Sequence, residues 1–116
     1  PVGGRYWEFP QGAAPQGEVE GLALAAAELR EETGLVADSI VDAGWIFPAY
    51  GYATQRCRIY LATGLRQQAQ ALEPEEEGLV CRAFPLAEVE HMLREGILVD
   101  GPSLAAFALL RLKGLL

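Results

Sequence analysis

Imidazole and thiol groups are scarce in this sequence, which has one histidine (His91) and two cysteines (Cys57 and Cys81) in 116 residues. No Cys/His spacing can close a tetrahedral zinc site, and two cysteines in apolar settings read as buried free thiols rather than a disulfide. Basic side chains are also few: 9 stand against 16 acidic ones, for a net charge of −7. That balance excludes nucleic acid gripped by its phosphates and an anionic membrane surface, while leaving open a small anionic ligand whose charge is met by metal. No apolar run reaches the ~18 residues of a membrane-crossing helix, and no signal peptide is visible, so a soluble cytoplasmic protein is the expectation. Neither an internal repeat nor a long linker interrupts residues 1–116. With 51% hydrophobic residues the chain should bury a core as a single domain.

What the chain does have is a helical carboxylate cluster. Residues 20–33 read as one helix, in which Leu22, Ala26 and Leu29 share a stripe, while Glu28, Glu31 and Glu32 fall within roughly 100° of one another on a different face. Like charges at these spacings destabilise a bare helix by a few tenths of a kcal/mol per pair, and the helix C-terminus disfavours anions as well. Alone, a Glu-rich run is usually a solvated face. Here it follows a Gly-rich loop, Pro10 to Gly17, where the backbone can approach a ligand closely. Hard divalent ions are held by one or two carboxylates plus substrate phosphates, so the combination points to metal-assisted phosphoryl chemistry.

The remaining elements are read in order. Arg5 to Phe9 is a short aromatic strand ended by Pro10, with Trp7 and Phe9 on one side as core aromatics. Gly34 is placed to cap the helix in left-handed conformation. Residues 39–47 hold one or two short strands. Pro48 to Tyr52 is a loop whose Tyr50 and Tyr52 either stack on a base or cover the core. Gln55 to Thr63 is the clearest strand, with Cys57, Ile59 and Leu61 on one side and Arg56, Arg58 and Tyr60 on the other. The two arginines either neutralise a diphosphate or face solvent. A second acidic cluster, Glu73 to Glu77, precedes an apolar strand from Leu79 that stops at Pro85. Leu86 to Glu95 is a helix with Leu86, Val89 and Leu93 inward and Gly96 as its stop; His91 is a solvated helix residue. Pro102 starts a last helix, Ser103 to Lys113, whose apolar face holds Leu104, Phe107, Ala108 and Leu110 to Leu112.

Gly12 to Leu35 resembles the Nudix box, G-x5-E-x7-R-E-U-x-E-E-x-G-U in family notation, with U a bulky aliphatic residue. Gly12 and Glu18 fit its first spacing; Glu28, Leu29, Glu31, Glu32, Gly34 and Leu35 fit its second half. There are two departures. Eight residues rather than seven separate Glu18 from the place where the family has Arg, and that place holds Ala27. In the family that Arg orients the catalytic carboxylates, so its loss bears on turnover more than on fold or metal binding, and Arg30 lies on the wrong face to replace it. Trp7 to Gly12 and the loop at Tyr50 are similar to the ADP-ribose and sugar-nucleotide pyrophosphatases; the Phe-Pro-Gln-Gly part also resembles dinucleoside polyphosphate hydrolases.

The resemblance implies an α/β fold, an α/β/α sandwich with a mixed sheet. Relatives carry further strands ahead of the equivalent of Pro1, often used in forming a dimer, so a shortened or partly ordered chain is expected, with a homodimer still open to it. It also implies Mg²⁺, with Mn²⁺ as substitute, held by Glu28, Glu31, Glu32 and the backbone carbonyl of Gln11. Glu77, at the family's distance from Pro85, would act as base, with Glu76 as understudy and Glu31 and Glu32 as catalytic ligands. Arg5, Gly12, Glu18, Tyr50, Tyr52 and Arg56 are the candidates for holding a small-molecule nucleotide. The implied reaction is hydrolysis of the diphosphate of ADP-ribose or a sugar nucleotide. The alternatives are a degenerate domain that binds a nucleotide without cleaving it, a dinucleoside polyphosphate hydrolase, and a plain interaction domain with an acidic surface.

Overall fold

The computed structural model describes residues 5–11, 21–68 and 81–116. Its elements run α1 (Gly21–Thr33), β1 (Leu35–Ile46), β2 (Cys57–Gln67), α2 (Leu86–Arg94) and α3 (Gly101–Leu112). Among the described residues the sheet has two strands, β1 and β2, so the α/β class holds but the expected mixed sheet is not what these residues form. The described residues group into two compact units: residues 5–9, 45–57 and 83–116 in one, and residues 10–11, 21–44, 58–68 and 81–82 in the other.

The second unit is organised by Gly34. Its φ of 75° takes the chain out of the helix, as expected, and its N–H donates to the Arg30 carbonyl at 2.9 Å. Thr33 assists, its hydroxyl donating to the Leu29 carbonyl and accepting from the Leu35 N–H at 3.1 Å. The Gly34 carbonyl then receives the Gln68 N–H at 2.8 Å, and the antiparallel ladder runs back from there. Four residues along, the Asp38 Cβ stands 2.7 Å from where a Cβ on Gly64 would lie, so these two face each other. β1 is one strand rather than two, and within it Gly44 (φ 119°) donates its N–H to Asp42 Oδ1 at 2.9 Å. Ile59 and Ala43 are buried; Cys57 and Leu61 are half-buried, which agrees with the expected inner side of β2.

In α1 only Leu29 of the anticipated stripe turns inward. Leu22 and Ala26 are exposed, and the half-buried positions are Leu24, Ala25, Ala27, Glu28 and Leu29. The reason is Gly21: a Cβ there would collide with the Tyr60 hydroxyl, so the helix start lies directly against β2 and fixes which side faces the sheet.

The first unit centres on Met92, Leu98, Ser103, Ala106 and Leu110, all buried. Arg5 to Phe9 is not a strand. The Phe9 N–H donates instead to the Ser103 hydroxyl at 2.9 Å, and Trp7 meets Phe84 edge-on, ring centres 5.0 Å apart. Residues 81–85 are likewise outside any strand. Asp100 caps α3, its Oδ2 accepting from the Ser103 N–H at 3.0 Å and hydroxyl at 2.7 Å, with Pro102 in the first turn as the sequence indicated. The inner face of α3 is Ser103, Ala106 and Leu110, not the predicted Leu104 and Leu112; that of α2 is Met92, with Leu86 exposed. Gly96 ends α2 with φ 73°, and the Ile97 N–H returns to the Met92 carbonyl. An Arg111–Glu90 ion pair ties α3 to α2. Both cysteines are free, but Cys57 is only half-buried and Cys81 is exposed, because residues 81–85 are not a core strand. No helix among the described residues is long and apolar enough to cross a membrane.

Ser103 is 1% exposed, and its hydroxyl both accepts and donates. Ser103→Ala should therefore cost about 1–2 kcal/mol, by losing part of the cap and leaving the Phe9 N–H without its partner. Urea unfolding checks this, and a midpoint equal to that of the parent would contradict it.

Candidate functional site

Glu28, Glu31 and Glu32 lie on the last turns of α1, where Gly34 and Thr33 fix the helix end. Glu31 is exposed, while Glu28, Glu32 and Ala27 are half-buried. Their donor atoms are carboxylate oxygens without thiolate or imidazole, the chemistry that suits a hard divalent cation. Among the described residues, however, no group of three or more His, Cys, Asp or Glu side chains is gathered closely enough to hold an ion. Like charges on successive helical turns spread apart unless a cation draws them together. Gln11 is half-buried in the same unit. Gly12, Glu18, Glu76 and Glu77 lie outside the described residues.

Arg5, Tyr50, Tyr52 and Arg56 belong to the other unit. Arg5 is exposed. Tyr50 and Tyr52 are 80% and 96% exposed, so they do not cover a core. Their turn is closed by the N–H groups of Tyr52 and Ala53, both donating to the Ala49 carbonyl at 2.9 Å. Around this turn the structure assembles a platform: Trp45 and Phe47 meet edge-on at 5.0 Å, Phe47 lies 6.1 Å from Tyr50, and the Arg56 guanidinium sits 4.7 Å from the Trp45 ring centre and 5.8 Å from that of Phe47. Sequence reading assigned Trp45 and Phe47 to a strand and overlooked their part in this surface. The signal was their i, i+2 spacing, which puts both rings on one side of an extended chain. Arg58 does not join Arg56; it pairs with Asp42 at 3.0 Å, and Arg66 pairs with Asp38 at 3.1 Å. Both pairs are well exposed and contribute little stability.

No family model matches the chain. It is 34% identical over 107 residues to an ADP-ribose pyrophosphatase of Mycobacterium tuberculosis, an alignment that takes in 89% of this chain and 50% of that relative. The chain thus spans about half the length of the relative. The matching protein carries the activity of the branch that the box and its entry segment resemble.

Near the entry to the Gly-rich loop, partial desolvation holds the Glu8 carboxyl above its ordinary value of 4.5, with the Asp100 charge adding to it. The same two causes raise the Cys57 thiol, which keeps it protonated and unreactive at neutral pH. Because the folded state binds the Glu8 proton more tightly than the unfolded chain, this contribution to stability is fully present below the ordinary value and is lost as pH rises through the raised one. Glu8→Gln, uncharged throughout, should flatten that part of the profile. Thermal midpoints from pH ~4 to ~7 for both proteins check it; parallel curves would remove Glu8 from the pH response.

Proposed function

We propose that the chain is a Nudix-type, metal-dependent hydrolase that cuts the diphosphate bond of a nucleoside diphosphate linked to another group. ADP-ribose or a related sugar nucleotide is the preferred substrate, and a nucleoside monophosphate and a sugar phosphate are the products. The observation that carries this reading is the 34% identity to an ADP-ribose pyrophosphatase across 89% of the chain, which takes in most of a sequence whose helical glutamates stand at the box spacing. Glu28, Glu31, Glu32 and the Gln11 carbonyl would hold Mg²⁺, or Mn²⁺ in its place. Such an ion, when bound, lowers the pKa of a water and screens charge on the phosphates. A Glu77 carboxylate oxygen would take the proton of the attacking water as the phosphorus–oxygen bond to the leaving phosphate breaks. The exposed Tyr50 and Tyr52 and the stacked Arg56 are suited to a base and ribose, and Gly12 to close approach by phosphate.

With Mg²⁺ present, ADP-ribose or another sugar nucleotide should be hydrolysed faster than diadenosine tetraphosphate, with product release followed by chromatography. Glu31→Gln or Glu32→Gln should weaken Mn²⁺ binding in calorimetric titration and lower turnover at least tenfold, each removing one hard anionic ligand from a site with few. Glu77→Gln should lower kcat and leave metal affinity nearly intact. Faster cleavage of the tetraphosphate would overturn the substrate assignment, and metal titrations unchanged in both α1 variants would overturn the ligand set.

Ala27 favours a second reading, a domain that binds a nucleotide and does not cleave it, because no guanidinium stands where the box has one. If only that orienting cation is missing, Ala27→Arg should raise kcat with little change in substrate affinity, measured by steady-state kinetics. Equal, fast turnover in both proteins would show that another group already orients the carboxylates. Tight nucleotide binding by the parent without turnover would select the non-hydrolytic reading.

A further inference from the structure

α1 has no fully buried residue, so packing of its own side chains does little to decide the direction in which it runs away from Gly34. Backbone bonds settle the Gly34 end, and a second fixed point is needed to aim the rest. Gly21 supplies it. The Tyr60 hydroxyl occupies the space where a Cβ on Gly21 would lie, with the Tyr60 Cζ 3.2 Å and the Arg58 Cδ 3.9 Å from the same point. Tyr60 and Arg58 stand two residues apart on one side of β2, and Arg58 is tied to β1 through its ion pair with Asp42. The two side chains thus form a seat for the start of the helix. The seat and two of the carboxylates share a side of α1. At about 100° per residue Gly21, Glu28 and Glu32 fall within about 40° of one another, and all three are half-buried, whereas Glu31 points elsewhere and is exposed. Lifting the helix start off β2 about Gly34 therefore moves Glu28 and Glu32 in the same plane, by unequal amounts. Glu28 lies six residues from Gly34 and Glu32 two, so at ~1.5 Å of rise per residue Glu28 moves about three times as far.

We propose that Tyr60, seated against Gly21, is a positioning residue for the α1 carboxylates: it sets the tilt of the helix and with it the height at which Glu28 stands over the sheet. This rests on the reading of α1 as the metal-binding helix. A shift of about 1 Å at Gly21 carries through to about 0.5 Å at Glu28, which is already the tolerance of a preorganised ligand set. Glu32, close to the pivot, is nearly unmoved.

Gly21→Ala, Tyr60→Phe and the double variant, each in the full chain, test it. Residual dipolar couplings of the metal-free proteins give the direction of α1 relative to β1 and β2, and calorimetric titration gives the affinity for Mn²⁺. Gly21→Ala should turn the helix away from β2 and weaken Mn²⁺ binding at least threefold, although alanine favours a helix more than glycine does and helical dichroism should be kept. Tyr60→Phe should let the helix start settle the other way. In the double variant the new methyl group takes the place of the lost oxygen, so helix direction and most of the affinity should return. Combined with Glu28→Gln, Gly21→Ala should cost little further affinity; combined with Glu32→Gln, its cost should persist. An unchanged helix direction in Gly21→Ala, or a double variant no nearer the parent than its components, would overturn the seat. A Gly21→Ala protein that does not fold would do the same, because the contact would then carry the fold rather than aim the helix. A helix that turns with no loss of Mn²⁺ affinity would overturn the positioning role. A parent that binds no Mn²⁺ would overturn the metal reading on which the role rests, and the couplings separate that failure from failure of the seat.

Discussion

A left-handed glycine holds one unit of this protein together. Gly34 must leave the α-helical region so that Thr33 can end α1 and Leu35 can begin β1 with no intervening loop, and its φ of 75° is a conformation that a side chain makes costly. In the same residue the N–H closes the last turn of the helix and the carbonyl receives the far end of β2. Helix, strand and returning strand therefore share one buried pivot. The carboxylates of α1 lie just ahead of it, so their position along the sheet is fixed by backbone bonds rather than by packing of their own side chains. This matters because α1 has no fully buried residue.

The other unit relies on a polar device instead. Asp100 and Ser103 form a cap whose hydroxyl is then used a second time, by the Phe9 N–H. A buried hydroxyl is costly unless both its roles are filled, and here donor and acceptor are both engaged. The segment 5–9 is thus anchored by a side chain rather than by a strand partner, which is why an alternating aromatic run stays out of the sheet. The small apolar group of Met92, Leu98, Ala106 and Leu110 completes the packing, and its size leaves the opposite leucines of α3 uncovered.

Charge is distributed in keeping with the proposed chemistry. The net −7 offers little to attract phosphate by itself, and three of the described arginines are engaged locally, Arg58 and Arg66 with aspartates and Arg111 with Glu90. Arg56 is held against two rings, a contact that orients its planar guanidinium at the surface beside exposed tyrosines. Bringing a diphosphate to such a protein calls for added positive charge, the part the proposal gives to a divalent ion on α1.

The sequence by itself determined what depends on local geometry. The helix ahead of Gly34, the stop at Gly34, the β2 alternation about Ile59, the Pro102 start and the Gly96 stop all follow from backbone rules that act within a few residues. The spacing of Glu28, Glu31 and Glu32 on one helical face was legible for the same reason. Which face of each helix turned inward was decided only by tertiary structure: Leu104 and Ala106 are both apolar in sequence, and what separates them is that Ser103, beside Leu104 and three residues before Ala106, is drawn inside by its bonds to Asp100 and Phe9. The aromatic platform under Arg56 was likewise a matter of where a ten-residue connection folds back on its own strand end. Periodicity states which side chains share a face; only contacts between distant parts of the chain determine which face is covered.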